Sequence, residues 1–163
     1  MQKLYIFKKK DDDYFWLTEK VKKFFDIEFV EVDLLEKNIY FYIEKKLEKE
    51  SVVIGHSLEG LVAYKQSTPM KFGIYASPTP ILDYSNEDKF DLMLEFLNIN
   101  NIKDIQKMTY LKPEVDFIHV LFGSEESWKD MDKFDYRTVD GSGHILNDKY
   151  KEEIIKLLLG YAS

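Results

Sequence analysis

The stretch VVIGHSLEGLVA, which runs from Val52 to Ala63, decides the fold. Its first part is apolar and β-branched and stops at Gly55, a pattern that is typical of a buried strand. Its second part, beyond Ser57, is apolar at helical spacing. The stretch therefore predicts a strand that turns sharply into a helix, with Ser57 on the exposed tip of the turn.

Strand patterns and helical patterns alternate on both sides of this turn. Short apolar or alternating runs predict strands at 4–7, 27–32, 52–54, 72–76, 115–122 and 136–139. Helical spacing predicts helices near 17–25, 39–49, 58–66, 90–97 and 102–108, and a last helix capped by Asn147 or Asp148. The alternation predicts an α/β fold, a three-layer sandwich whose mostly parallel sheet has about six strands in the spatial order 2-1-3-4-5-6.

Length and composition limit the classes of protein that fit. The 163 residues suit a single domain, 1–163, and the 45% of hydrophobic residues, with 12 Phe and 11 Tyr, can fill its core. The absence of cysteine excludes disulfides and thiolate metal sites, and it fits a reducing, cytoplasmic location. The net charge of −7 argues against nucleic acid as a partner, and no apolar run suggests a signal peptide or membrane span. The oligomeric state stays open.

The turn sequence resembles the nucleophile elbow of the α/β-hydrolase family, which usually reads Gly-x-Ser-x-Gly. Here the elbow is GHSLEG, because Glu59 stands at the position of the second glycine and Gly60 follows it. The resemblance covers nearly the whole chain and implies a minimal serine hydrolase. Such an enzyme cleaves a small ester or thioester, or alternatively an amide, and it needs no cofactor.

Cleavage by serine requires a base to take the hydroxyl proton. Of the three histidines, His144 is the predicted base, because it lies in the loop 140–144 after the sixth strand, at the edge of the sheet where Ser57 is expected. His119 lies within an apolar strand and is interpreted as a core or sheet-face residue. His56 adjoins Ser57, and neighbours on a sharp turn are expected to point apart.

An acid and oxyanion donors complete the predicted site. The segment 122–126, FGSEE, resembles the family's strand-Gly-x-x-Asp ending, so that Glu126 is the predicted acid and Glu125 the alternative. The order of Ser57, Glu126 and His144 along the chain matches that of the family. The backbone N–H of Leu58 is the first predicted oxyanion donor, and Lys10 is the second, in a segment where the family usually has glycine.

Other interpretations of the same residues stay open. Gly55 could end a strand and Ser57 cap a helix without any chemistry, which would leave a hydrolase-fold protein that binds a small acyl ligand or a protein partner. A flavodoxin-like binding module is a weaker alternative. The segment 78–113 is either a crossover helix or part of an acyl pocket. We expect the Glu59 carboxylate at the rim of the site rather than between helix and strand. The sequence shows no metal-ligand cluster and no Gly-rich phosphate loop.

Overall fold

The computed structural model describes residues 1–33, 36–78, 113–126 and 131–163. The strands are β1 (Gln2–Lys8), β2 (Phe25–Glu31), β3 (Val52–His56), β4 (Met70–Ala76), β5 (Val115–Gly123) and β6 (Tyr136–Val139). The α-helices are α1 (Phe15–Val21), α2 (Ile39–Ile43), α3 (Ser57–Tyr64) and α4 (Asp148–Ala162), and a 3₁₀ turn covers Met131–Lys133. The predicted helices at 90–97 and 102–108 lie outside the described residues, as does nearly all of the segment 78–113.

The six strands form one sheet in the order β2-β1-β3-β4-β5-β6, which confirms the predicted order and the α/β class. Each neighbouring pair is parallel. In a parallel sheet all the carboxyl ends lie at one edge, so the residues that follow the strands are brought together there. This edge carries the candidate site.

Successive residues of the strands enter two separate apolar clusters, one on each face of the sheet. On β1, Leu4 and Ile6 belong to the cluster that α1 and α4 also enter, whereas Tyr5 and Phe7 belong to the cluster of α2 and α3. This alternation follows from the two-residue period of a strand. The central strands β1, β3 and β4 are accordingly buried over most of their length, whereas the edge strands β2 and β6 keep exposed polar residues.

Two predicted helices are shorter in the structure than their spacing suggested. The helix predicted to reach residue 49 ends at Ile43, because the backbone N–H groups of Leu47 and Glu48 donate to Thr68 Oγ1 and Tyr5 Oη instead. The helix predicted to reach residue 25 ends at Val21, because Phe25 already pairs with Gln2 in the β1–β2 ladder. In both cases tertiary hydrogen bonds replace helical ones.

Asparagine side chains cap two of the helices. Asn38 Oδ1 accepts a hydrogen bond from Tyr40 N at 3.0 Å, and Asn147 Oδ1 accepts one from Tyr150 N at 3.1 Å. Asn147 rather than Asp148 is thus the cap of α4. This helix starts next to the loop that carries His144, so its cap also positions that loop.

The passage from β3 to α3 depends on a close contact between two glycines. A Cβ atom on Gly55 would lie 2.7 Å from Glu59 O and 2.8 Å from Gly60 Cα. A Cβ atom on Gly60 would lie 2.9 Å from Gly55 O. The strand and the helix therefore approach each other backbone to backbone, and Gly60 fills the role that the glycine expected at position 59 would have had.

We predict that Gly55→Ala lowers the free energy of unfolding by about 1–3 kcal/mol, because the contacted atoms are backbone and cannot move aside without shifting α3. Gly160→Ala is the matched control, since nothing lies within 4 Å of its Cβ and alanine favours a helix by about 1 kcal/mol. Urea unfolding of both variants tests this. Equal stability of Gly55→Ala and wild type would show that the close approach is not obligatory.

Candidate active site

Ser57 lies at a sharp junction between strand and helix. β3 ends at His56 and α3 begins at Ser57, with no loop residue between them, which confirms the predicted strand-turn-helix. Ser57 has a φ of 59°, in the left-handed region that non-glycine residues rarely occupy. Such backbone strain costs about 1–3 kcal/mol and is typical of functional sites.

His144 lies beside Ser57, although 87 residues separate them in the chain. Its Nε2 atom is 2.8 Å from Ser57 Oγ, a normal hydrogen-bond distance. The residue belongs to the loop between β6 and α4 and is half-buried. The sheet edge thus brings together the nucleophile and the base that the sequence predicted.

His56 holds the backbone of this loop in place. Its Nε2 atom is 2.6 Å from the carbonyl oxygen of His144, and its ring centre is 5.2 Å from the His144 ring centre. Burial lowers the pKa of His56 to about 4, so the ring is neutral at neutral pH. A carbonyl oxygen can only accept, so the single proton of the neutral ring must be on Nε2. His56 thus contacts the backbone of His144, and the expectation that its side chain and that of Ser57 point apart stays a prediction.

Glu126 is the carboxylate next to His144, whereas Glu125 is exposed. The Glu126 side chain is only 3% exposed, and its Oε2 atom lies 3.5 Å from His144 Nδ1. Its Oε1 atom accepts hydrogen bonds from Gly123 N at 2.7 Å and from Tyr150 Oη at 2.6 Å. Burial alone would raise the pKa of Glu126, but the hydrogen bonds to the carboxylate together hold it below its ordinary value. Glu126 is thus a buried charge that is well supplied with donors.

Ser77 lies between Glu126 and His144, and the sequence analysis did not identify it. Its hydroxyl is 2.5 Å from Glu126 Oε2 and 2.8 Å from His144 Nδ1. Ser77 follows β4 directly, is fully buried and has a φ of 49°. Its place at the carboxyl end of a strand was the one signal in the sequence that could have identified it.

Tyr150, the other missed partner of Glu126, occupies an apolar face of α4, where nothing in the sequence distinguishes it from a core residue.

A cavity of about 370 Å³ opens beside Ser57 and His144. Part of its wall is apolar and consists of Tyr14, Trp16, Ile145 and Leu146. Lys9, Asp12, Glu59 and Lys151 contribute polar and charged groups. The volume lies within the range for small-molecule sites, at its lower end.

Neither of the predicted oxyanion donors, Leu58 and Lys10, is among the described residues that line this cavity. Leu58 is the second residue of α3, where a backbone N–H has no acceptor within its own helix. In the loop after β1, Lys9 lines the cavity and Lys10 does not. The buried ammonium of Lys8 donates to the carbonyl oxygens of Lys9, Lys10 and Asp12 at 3.0–3.1 Å. Lys8 thereby fixes the loop that has no glycine.

Glu59 does not lie at the rim, where we expected it. The residue is only 4% exposed and lines the cavity. Burial raises the pKa of Glu59 to about 7; the positive charge of Lys9 opposes this rise, and the negative charge of Asp12 adds to it. Neutral and charged forms of Glu59 therefore coexist near neutral pH.

Within the described ranges, no group of three or more His, Asp or Glu side chains is placed to hold a metal ion. None of the described helices is both long and apolar enough to cross a lipid bilayer. A comparison of the chain with protein-family models and with curated proteins found no match. The case for a function therefore depends on the geometry of the site.

We predict that Glu59→Gln stabilises the protein increasingly as the pH rises from about 4.5 to about 7. Over this window the unfolded chain has lost the Glu59 proton while the folded chain retains it, so the wild type loses stability, by up to roughly 3 kcal/mol. Glutamine does not titrate. Urea unfolding of both proteins across this pH range measures the difference, and Glu125→Gln controls for the change in net charge. A difference that does not depend on pH would contradict the assigned burial of the Glu59 carboxyl group.

Proposed function

We propose that this protein is a serine hydrolase of the α/β-hydrolase type, which cleaves a small ester or thioester. The observation that carries the proposal is the 2.8 Å contact between Ser57 Oγ and His144 Nε2 at a strained strand–helix junction. A serine next to a base, with the base held by a buried carboxylate, is the arrangement that nucleophilic acyl transfer requires.

The acylation step follows from these positions. Ser57 Oγ attacks the carbonyl carbon of the substrate while its proton passes to His144 Nε2. The negative charge on the carbonyl oxygen is stabilised by the backbone N–H of Leu58, and Lys10 stays the predicted second donor. Collapse of the tetrahedral intermediate breaks the bond to the leaving group, which takes the proton from Nε2. The acyl group is then attached to Ser57.

Deacylation reverses these roles with water as the nucleophile. His144 Nε2 takes one proton from the water as its oxygen attacks the acyl carbon. When the second tetrahedral intermediate collapses, this proton returns to Ser57 Oγ and the acid product leaves. Glu126 stays ionised throughout, because its task is to stabilise the positive imidazolium. No cofactor takes part in either step of the proposed reaction.

The cavity supports a small substrate with a partly apolar acyl group. Tyr14, Trp16, Ile145 and Leu146 provide apolar surface within a volume of about 370 Å³. The alternative is a hydrolase-fold protein that binds an acyl ligand or a protein partner without turnover. The departure from glycine in the loop after β1 favours that alternative, since glycine there would allow the backbone to turn an N–H toward the oxyanion.

We expect a fluorophosphonate probe to add to Ser57 and to no other serine, because only a serine activated by a base attacks phosphorus at a useful rate. Intact-mass analysis of the folded protein, followed by peptide mapping, measures the adduct. Ser57→Ala should abolish it, and Ser67→Ala, which changes an exposed serine distant from His144, should not. Absence of the adduct on folded wild type would favour the binding-protein alternative.

His144→Ala should lower the rate of labelling and of ester turnover by about 10⁴-fold or more, as is found when a triad base is removed. His119→Ala is the matched control, since that half-buried ring lies on β5, with its centre 5.1 Å from the Phe72 ring centre and tilted by 56° to it. Rates are compared per folded molecule. If His119→Ala lost activity and His144→Ala kept it, the assignment of His144 as the base would be wrong.

A further inference from the structure

We propose that Ser77 is a positioning residue that transmits the charge of Glu126 to the imidazole of His144. This inference rests on the proposed hydrolase function. The Ser57, His144 and Glu126 side chains would then act through a fourth member, in the order Ser57, His144, Ser77, Glu126.

The distances favour the indirect route over direct contact. His144 Nδ1 is 2.8 Å from Ser77 Oγ but 3.5 Å from Glu126 Oε2. The hydroxyl of Ser77 is in turn 2.5 Å from Glu126 Oε2. A hydrogen bond weakens markedly beyond about 3.2 Å, so the short contacts both go through Ser77.

Counting protons gives the direction of each hydrogen bond. Glu126 is ionised, since its pKa lies below its ordinary value, and its oxygens can only accept. The single hydroxyl proton of Ser77 must therefore point to Glu126 Oε2, because two oxygens 2.5 Å apart without a proton between them would repel. Ser77 Oγ can then only accept from His144, so the imidazole proton is on Nδ1. Nε2 is left unprotonated toward Ser57, as a general base requires.

The surroundings hold Ser77 in this orientation. Its backbone N–H donates to Leu121 O of β5 at 2.6 Å, and its φ of 49° lies in the left-handed region. Gly123 N and Tyr150 Oη bind the other carboxylate oxygen of Glu126, which leaves Oε2 directed at Ser77. Because Ser77 is fully buried, a substrate cannot reach it, and it is not a second nucleophile.

Ser77 transfers no proton in the proposed reaction. When His144 Nε2 takes the proton of Ser57, the imidazolium still donates Nδ1–H to Ser77, and Ser77 still donates to Glu126. We call the two hydrogen bonds from His144 through Ser77 to Glu126 the relay. The relay fixes the tautomer of His144 before the reaction and stabilises its positively charged ring during the reaction. A fixed tautomer and a stabilised imidazolium are the two contributions that a triad acid makes.

The test compares Ser77→Ala with Ser51→Ala. Ser51 is also buried and also donates one hydrogen bond, at 2.7 Å to Glu48 O, but it precedes β3 at the opposite edge of the sheet. Two quantities are measured: the rate at which a fluorophosphonate labels Ser57, and the ¹⁵N NMR shifts of His144, which report the tautomer. We expect Ser77→Ala to lower the labelling rate by roughly 10²–10³-fold and to replace the Nδ1–H form with a mixture. Ser51→Ala should leave both unchanged.

Ser77→Gly keeps the test available if the alanine variant does not fold, since glycine suits the positive φ and also lacks the hydroxyl. Ser77→Cys, which keeps a weak donor, should give an intermediate rate. An unchanged tautomer and rate in folded Ser77→Ala or Ser77→Gly would overturn the relay. If wild type is not labelled but its Nδ1–H form is lost on substitution of Ser77, the relay stands and the hydrolase proposal fails.

Discussion

The candidate site depends on the close contact between the backbones of β3 and α3. Gly55 and Gly60 approach each other so closely that neither position has room for a Cβ atom. This contact lets the chain pass from strand to helix without a loop, and Ser57 is thereby held at positive φ. A looser junction would relax the backbone, and the hydroxyl would lose its fixed distance from His144. The packing of the central strand β3 against α3 thus determines where the Ser57 hydroxyl lies.

Burial shifts the pKa values of the ionisable groups around Ser57 in opposite directions. It lowers the pKa of His56 and raises that of Glu59, so that both are shifted toward their neutral forms. Glu126 is also buried, but its hydrogen bonds with Gly123, Tyr150 and Ser77, together with the neighbouring His144, keep it charged. Glu126 stays charged beside His144, whereas Glu59 can take up a proton in the cavity wall. The two carboxyl groups can therefore serve different purposes. The number of donors around each carboxyl group makes the difference.

Local sequence patterns were sufficient to predict the order of the strands and the residues that follow them. Periods of two and 3.6 residues located the described elements, and the handedness of crossovers restricted their arrangement. From these constraints Ser57, Glu126 and His144 were expected at one edge, and the structure brings them together there. Helix ends were predicted less well, since α2 ends early where Leu47 N–H finds Thr68. A helix-forming pattern carries no information about a hydrogen-bond partner 21 residues away.

By itself, the sequence determined the α/β class, the strand order and the turn on which Ser57 lies, because these follow from periodicity, glycine placement and chain chirality. Only the tertiary structure decided how the groups around Ser57 meet. Ser77 and His56 contact His144 across strands and loops that are distant in the chain, and Glu59 is buried where it lines the cavity. Such contacts depend on distances of a few tenths of an ångström between separate elements, which residue type and spacing do not specify.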